Sequence, residues 1–440
     1  MGKRNFLWVL ISMVLICGMM VIGCEPEPEP EREEGPSGWP SGGPAGGNQG
    51  QVVKPTAEPD GGNVLSGRKI TLATTTTGAT IYYTLDGTTP TTSSTSYNSS
   101  TPEITSSCTL KAIATKSGMT NSEVLSVSYT AVAVPAFSAV TSTVDMFNYG
   151  INAVAYGSNR FVAGGNGGIA YSSNGTTWTE PTGDINMFVR GMIYGAQFVA
   201  VGDYSGGVIS YSSNGASWSN VTDTTFGTSS IRDVAYGSGR YVAVGESGKM
   251  ATSTNGTTWT AVTNSTFGTS TIYGITYGDS KFVAVGADGK MAYSINGTTW
   301  TAVTNSDSTT INGITYGGAI GKEQFIAVGS STYIAYSTDG VTWTKVSSGY
   351  YSVDLKRITW GGNKYVAVAS AGVMLVSVDG INWARIDGGI GAGKSQMDTT
   401  NAILFVSSIN DIAYGGGKFL VVGSKSTGLG TSSGEMAISN

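Results

Sequence analysis

The chain has 440 residues, 64 of them glycine, and a formal net charge of −5 at pH 7. It lacks histidine, which excludes a Ser-His-Asp triad and every His-ligated metal centre. Of its three cysteines only Cys108 lies beyond the N-terminal segment, so we expect no intrachain disulfide and predict no metal site and no cofactor. Abundant glycine, serine and threonine and the near absence of long helix-forming runs indicate an all-β protein.

Residues 1–23 form a predicted signal peptide. Lys3 and Arg4 precede a short apolar run, the order typical of a secretory leader. The run ends in Val-Ile-Gly followed by Cys24, which resembles the lipobox of bacterial lipoproteins. The resemblance implies that Cys24 carries lipid and anchors the chain in a membrane of the bacterial cell envelope, at the outer membrane or the cell surface. The alternative is a simple membrane anchor, because the apolar stretch is about long enough to span a bilayer.

Residues 24–51 form a predicted disordered tether. Glutamate and proline alternate from Glu25, and glycine, proline and serine follow. Like charges and prolines keep such a segment extended. Residues 25–34 hold six Glu and one Arg, so most of the negative charge lies here and the body of the chain is nearly neutral. A nearly neutral body has no electrostatic footprint for nucleic acid, which we exclude as a partner.

Residues 52–132 are predicted to form a small Ig-like β-sandwich. Apolar and polar residues alternate in short runs such as Thr80–Thr84, with turn residues between them. The motif Tyr-Thr-Leu-Asp-Gly-Thr-Thr-Pro at 83–90 and the later run Leu-Lys-Ala-Ile-Ala at 110–114 resemble the module at the C-terminus of chitobiases and hexosaminidases. That resemblance covers the whole segment and implies an accessory module without catalytic residues. We expect it to act as a spacer or a weak binding module.

Residues 133–440 are predicted to form a seven-bladed β-propeller. A pattern of short apolar runs recurs seven times at roughly forty-residue spacing, which is typical of propeller blades, and the clearest copy spans 272–303. The first run of each copy is the predicted innermost strand and carries an aromatic residue. The second run, for example Phe282–Gly286, is apolar or small on both faces, as blades stacked face to face require.

The seventh copy lacks its last strand, and the missing piece lies at the start of the repeat region. The chain ends at Asn440 before a Trp-containing strand, whereas Phe-Ser-Ala-Val-Thr at 137–141 mimics Trp-Thr-Ala-Val-Thr at 300–304. We therefore predict that residues 137–141 lie beside 436–440 and complete the last blade. Closure of this kind leaves no open sheet edge.

A turn motif, Ser-x-Asn/Asp-Gly-x-x-Trp, occurs in six of the copies. It resembles the Asp-box of sialidases and related propellers, although one residue is missing between the acid and the glycine. The resemblance implies a structural turn far from any active centre, in which the side chain hydrogen-bonds the backbone two residues on. The turn residues are Asn174, Asn214, Asn255, Asn296, Asp339 and Asp379.

A candidate binding site follows from the differences between the copies. The second residue of each predicted innermost strand varies and is polar, so these residues should form a ring around one mouth of the central channel. They are Asn152, Arg190, Arg232, Tyr273, Asn312, Lys356 and Asn410. Phe188, Phe226 and Phe267, in or beside the loops that enter these strands, suit stacking on sugars or other flat rings. Two alternatives stay open: the polar residues are a solvated rim, and the aromatic residues fill gaps between blades.

Three functions are compatible with these features. The first is a lipid-anchored monomer that binds a glycan, or an envelope or host protein, through the mouth without catalysis. The second is a carbohydrate-active enzyme, a glycosidase or lyase, with Asp233 and Asp411 as candidate catalytic carboxylates on different blades. The third is an envelope scaffold with no small-molecule site. A phosphate-loop pattern at 388–395 lies in a predicted loop without the strand and helix that nucleotide binding requires, and we interpret it as a flexible loop.

Overall fold

The computed structural model describes residues 50–97, 102–141, 149–182, 185, 187–305, 307–346, 353–386, 408–426 and 432–439. The predicted signal peptide, Cys24, residues 24–49 of the predicted tether and the phosphate-loop pattern at 388–395 lie outside the described residues. In the part of the chain that is described, no helix has the length and apolarity needed to cross a bilayer.

The first folded region is a small all-β module built on a five-stranded sheet. In the order in which they pair, its strands are Gly62–Leu65, Leu125–Val132, Cys108–Thr115, Thr80–Thr84 and Thr95–Ser96. Two short ladders pair Thr56–Glu58 with Thr71–Ala73 and Arg68–Lys69 with Glu103–Ile104. Alternate side chains such as Leu110 and Tyr129 fill one core. The Asp-Gly turn forms, since Gly87 has a φ of 78° and the Asp86 carboxylate accepts a bond from the Thr88 N–H.

Seven further sheets form a β-propeller, as the repeat predicts. We number its antiparallel blades 1 to 7 in chain order. The innermost strands are Ile151–Gly157, Phe188–Tyr194, Ile231–Gly237, Ile272–Gly278, Ile311–Gly317, Leu355–Gly361 and Ser408–Gly415. The second strands are Arg160–Gly165, Phe198–Asp203, Arg240–Gly245, Lys281–Gly286, Gln324–Gly329, Lys364–Ala369 and Lys418–Ser426. The third strands are Gly168–Ser172, Gly207–Ser212, Met250–Ser253, Met291–Ser294, Tyr333–Ser337, Met374–Ser377 and Ser432–Ser439.

The outer strands are shorter, and the innermost ones close the ring. Blades 2 to 6 end in Ser219–Asn220, Thr260–Ala261, Thr301–Val303, Thr344–Val346 and Ala384–Ile386, and blade 1 ends in a single bridge between Tyr171 and Thr179. Single-turn 3-10 helices join the second and third strands of blades 3, 4 and 5 at Glu246–Gly248, Ala287–Gly289 and Ser330–Thr332. Innermost strands of consecutive blades touch, and that of blade 7 touches that of blade 1.

Blade 7 is assembled from both ends of the propeller region, as predicted. Its outer strand is Phe137–Val140, which pairs antiparallel with residues 436–439 in a register from Phe137 opposite Ser439 to Val140 opposite Met436. Val140 and Met436 join the apolar core shared by blades 7 and 1. The earliest strand of the propeller therefore covers an edge that the last strands would leave unpaired.

The Asn and Asp residues of the repeated turn motif form turns, as predicted. In the first copy the Asn174 side-chain oxygen accepts bonds from the N–H groups of Thr176 and Thr177 at 2.9 and 2.8 Å. The Ser172 hydroxyl accepts from the Gly175 N–H at 2.8 Å. The other five copies repeat the bond two residues on. These side chains are therefore occupied by local backbone.

Blade-to-blade packing depends on an aromatic ring placed against a glycine. A Cβ added to Gly237, the last residue of its innermost strand, would lie 1.9 Å from Cγ of Tyr277 in the next blade. The same contact recurs around the ring between Gly157 and Tyr194, Gly195 and Tyr236, Gly278 and Tyr316, Gly317 and Trp360, Gly361 and Tyr414, and Gly415 and Tyr156. Only glycine permits this approach, because any side chain would occupy the volume of the ring.

We predict that Gly237→Ala and Tyr277→Ala are strongly non-additive. The added methyl collides with the ring only when the ring is present, so the double variant should recover about 1–3 kcal/mol relative to the sum of the single changes. Gly239→Ala is the control. Its φ of 72° disfavours alanine, but a Cβ there meets nothing within 4 Å, so any loss of stability does not depend on the Tyr277 ring. Its effect should add to that of Tyr277→Ala. Denaturant unfolding of the wild type, the three single variants and the two double variants measures both couplings, and additivity at position 237 would contradict this packing.

Candidate functional site

The seven residues predicted to line the mouth each sit in a β-bulge of an innermost strand. In all seven blades the pairing register skips this residue, for example between Ile272 and Gly274, where Tyr273 is left out. A bulge releases a side chain from the alternation of the strand and re-aims it. All seven bulge residues are partly exposed. The structure thus places the seven predicted residues at equivalent points of the seven innermost strands, and their position at a mouth and their binding of a ligand stay predictions.

Four of the bulge residues bond to the next blade. Amide groups donate to backbone oxygens, and a lysine ammonium donates to an amide oxygen. These bonds run from Asn410 to Ile151 O at 2.9 Å, from Asn152 to Val189 O at 3.1 Å, from Asn312 to Leu355 O at 2.9 Å, and from Lys356 to Asn410 Oδ1 at 3.0 Å. They belong to blades 7, 1, 5 and 6, so this half of the ring ties its blades together.

The other three bulge residues do not bond to the next blade. The guanidinium of Arg190 pairs at 3.3 Å with Asp203 of its own blade, and Arg232 pairs with Glu246 of its own blade. The Arg232 Nε has no hydrogen-bond partner among the described residues, and the same holds for the Tyr273 hydroxyl. Arg190 and Arg232 of blades 2 and 3 are therefore oriented by acids of their own blades, and Tyr273 of blade 4 keeps an unbonded hydroxyl within the described residues.

Of the three phenylalanine residues predicted to contact a ligand, one is exposed and two are buried. Phe188 is 39% exposed and forms an edge-to-face pair with Tyr204, which is 48% exposed, at a centroid distance of 6.0 Å. Phe226 and Phe267 are fully buried in the cores between blades 2 and 3 and between blades 3 and 4. Their assignment as ligand contacts is wrong, because both rings fill gaps between blades. Tyr204 was missed, since a single tyrosine after a second strand carries no repeat signal.

The residue directly after the bulge is charged in three blades: Asp233, Arg357 and Asp411. The Asp233 carboxylate accepts from the N–H of Val234 at 2.9 Å and from the N–H of Ile275 in the next blade at 3.0 Å. Asp411 accepts at 2.9 Å from the N–H of Val154 in blade 1, and the N–H of its neighbour Ile412 also favours the ionised carboxylate. Each carboxylate therefore joins the unpaired inner edges of two adjacent blades.

The electrostatics of these carboxyl groups reflect their enclosure. Burial raises the pKa of Asp411 to about 6, although Arg357 and the backbone donors offset part of that effect. Burial likewise raises the pKa of Asp233. Both carboxylates already accept backbone N–H groups, and a catalytic role for Asp233 or Asp411 stays a prediction. Across the described residues, no cluster of three or more Asp, Glu or Cys side chains could hold a metal ion.

Comparison with known proteins agrees with both parts of this architecture. The chitobiase/beta-hexosaminidase C-terminal domain profile matches residues 59–126, and the DUF6242 beta propeller domain profile matches residues 190–314. The chain therefore carries an Ig-like module of the first kind followed by a β-propeller. No curated protein matches it.

Among solved structures the similarity covers the propeller. YCF48 bound to D1 peptide matches with 16% identity and a TM-score of 0.51, over 69% of this chain and 95% of that one. YCF48 from Cyanidioschyzon merolae matches with 15% identity and a TM-score of 0.50, over 69% and 98% of the two chains. At these identities the likeness shows a common fold.

We predict that the wild type loses stability relative to Asp411→Asn as the pH rises from about 4 to about 6. The pKa of Asp411 is raised in the folded state, so the folded protein holds this proton more tightly and the ionised form is disfavoured, by about 1–3 kcal/mol across that window. Unfolding free energies of both proteins across pH measure the difference.

Asp339 is the control, because its pKa is shifted in the opposite direction to that of Asp411. Backbone N–H donors from Thr342 and Val341 lower the pKa of Asp339 to about 2. Relative to Asp339→Asn, the wild type should lose stability as the pH falls from about 4 toward 2. A flat difference between the wild type and Asp411→Asn above pH 4 would contradict the enclosure of the Asp411 carboxyl group.

Proposed function

We propose that the protein is a non-catalytic binding protein whose ligand sits on one sector of the mouth. The sector comprises Phe188, Arg190, Tyr204, Arg232 and Tyr273 of blades 2 to 4, and we call it the aromatic–arginine sector. One observation carries the proposal: the bulge residues of blades 5, 6, 7 and 1 bond to the next blade, whereas those of blades 2, 3 and 4 do not. Side chains without this structural role are available for a ligand.

A segment of a partner protein is the ligand that best suits this sector. Tyrosine and arginine are the side chains that most often dominate the affinity of protein interfaces. Arg190 and Arg232 are about one-third exposed, at 31% and 32%, and are held by acids of their own blades. Phe188 and Tyr204 offer exposed rings beside them. YCF48, a propeller of the same fold, has been solved bound to a D1 peptide, which supports a peptide ligand here.

A glycan is the second candidate. Exposed aromatic rings next to ion-paired polar groups also suit sugar rings, whose apolar faces stack while their hydroxyls are hydrogen-bonded. The match of residues 59–126 to a domain named for chitobiase and hexosaminidase favours this candidate by analogy. The same mouth residues would carry either ligand, so one set of variants serves both tests.

We predict that replacing Arg190, Arg232 and Tyr273 together by alanine weakens binding at least tenfold for any peptide selected on a random-sequence peptide array. Loss of central tyrosine and arginine contacts costs about 2 kcal/mol or more at such interfaces. Titration calorimetry measures the affinity. The control is Ile295→Ala, in an outer turn where the side chain is 71% exposed. Unchanged affinity of the triple variant would refute the mouth assignment, whereas glycan-array binding without peptide binding would favour the second candidate.

Attachment to the cell envelope through Cys24 is a further part of the proposal. The Val-Ile-Gly-Cys sequence at 21–24 supports it, and the acidic, proline-rich residues that follow would hold the folded modules away from the membrane.

We predict that Cys24→Ser moves the protein from the membrane to the soluble fraction of a bacterial expression host and abolishes incorporation of labelled fatty acid. A lipid-modified cysteine is the only anchor this interpretation offers, because the leader itself would be removed. Cys17→Ser, within the predicted leader, is the matched control and should change neither result. Membrane retention of Cys24→Ser would instead indicate an uncleaved membrane anchor.

A further inference from the structure

The second residue after the bulge of an innermost strand directs its backbone N–H away from the sheet. Hydrogen bonds to Asp233 and Asp411 establish this for Val154, Val234 and Ile275, and the N–H of Ile412 favours the ionised form of Asp411. The innermost strand has no neighbour on this side, so such groups need an acceptor other than the sheet ladder. Each aspartate serves two adjacent blades at once, blades 3 and 4 in one case and blades 7 and 1 in the other.

Blades 5 and 6 are also adjacent, but among the described residues no aspartate accepts a hydrogen bond from their N–H groups at this position. These groups belong to Ile314 and Ile358, and no side chain among the described residues accepts from them. The third residue of blade 5, where blades 3 and 7 carry their aspartates, is Gly313. The register therefore leaves an equivalent pair of N–H groups without a carboxylate, and the backbone of blade 6 lies closer here, since a Cβ on Gly313 would stand 2.8 Å from Lys356 O.

Two cations stand beside this position. Arg357 follows the bulge of blade 6 directly, and one of its amino groups donates to Asn312 O at 2.6 Å. Within the described residues, neither Arg357 nor Lys356 has a carboxylate within 4.0 Å. Burial lowers the pKa of the Lys356 ammonium, and the neighbouring Arg357 charge lowers it further. Asp354 acts on Lys356 at longer range, and Arg357 acts at longer range on Asp233 and Asp411, both of which already accept backbone N–H groups.

We propose that the N–H groups of Ile314 and Ile358, together with Arg357, form a binding site for the carboxylate of an acidic peptide side chain. The repeat itself supplies the template, because the protein's own carboxylates occupy the two equivalent positions. The site lies one residue deeper in the channel than the mouth ring, so an acidic residue of a peptide held at the mouth could reach it. The binding of a peptide's acidic residue rests on the proposed function, but the site should also bind a small free carboxylate in the absence of any peptide.

The probe is sodium acetate at constant ionic strength, with acetamide as the uncharged control. We expect acetate and N-acetylglutamate amide to bind the full chain and raise its melting temperature, and acetamide to do neither. Arg357→Gln should weaken acetate binding at least tenfold. Lys356→Gln is the second variant, expected to weaken binding less. Arg240→Gln is the control, because Arg240 lies at the turn before a second strand and donates to Thr252.

The outcomes separate this site from the mouth. Acetate that stabilises the wild type no more than acetamide, or equally stabilises Arg357→Gln and the wild type, would overturn the site. Acetate binding that survives in the Arg190, Arg232 and Tyr273 triple variant would support it even if no peptide ligand were found. Preference for glucuronate over N-acetylglutamate amide would assign the carboxylate to an acidic sugar and overturn the peptide source.

Discussion

The contact between an aromatic ring and the glycine of the preceding blade is the constraint on which this propeller depends. It occurs at all seven junctions, including the one between blades 7 and 1. Because the ring replaces a side chain that glycine lacks, it sets how closely two innermost strands approach. Each of these rings also packs on an aromatic residue of its own second strand, with centroids 4.4 to 4.8 Å apart. The same spacing recurs at the junction of blades 7 and 1, so the ring is closed, and the strand at 137–140 completes its last blade.

Closure of the ring leaves backbone groups of the innermost strands without a sheet partner at the centre. The innermost strands have no neighbour toward the channel, so their N–H and C=O groups remain unpaired there. Side chains of the bulge and of the next residue satisfy many of these groups across the junctions, as Asn152, Asn312 and Asp411 do. These are also the positions that vary between copies. The bulge residue and the residue after it therefore either join adjacent blades or are available to a ligand. The hydrogen bonds of each side chain show which of the two roles it has.

The repeat made the architecture predictable, because each feature was encoded locally. The aromatic position, the two-faced second strand and the Asn or Asp of the turn recur in every full copy, and the mimicry between 137–141 and 300–304 revealed the closing strand. The site was only partly predictable. Phe226 and Phe188 look alike in sequence, but their exposure depends on the path of a loop. The bonds of Asp233 and Asp411 depend on which backbone groups lack a ladder partner, which no single strand encodes.

The division of the mouth into two halves bears on how a ligand would gain affinity. A flexible arginine loses side-chain entropy when a ligand fixes it, and that loss reduces the net gain from each new bond. Arg190 and Arg232 are already fixed by Asp203 and Glu246, so most of this entropy is lost on folding rather than on binding. The ion pairs also weaken the attraction of both guanidinium groups for an anion, because a carboxylate already neutralises most of each positive charge. Contacts at this sector should therefore rest on ring faces and directed N–H donors. The unneutralised charge of Lys356 and Arg357, on the opposite side, would be left to bind the acidic group.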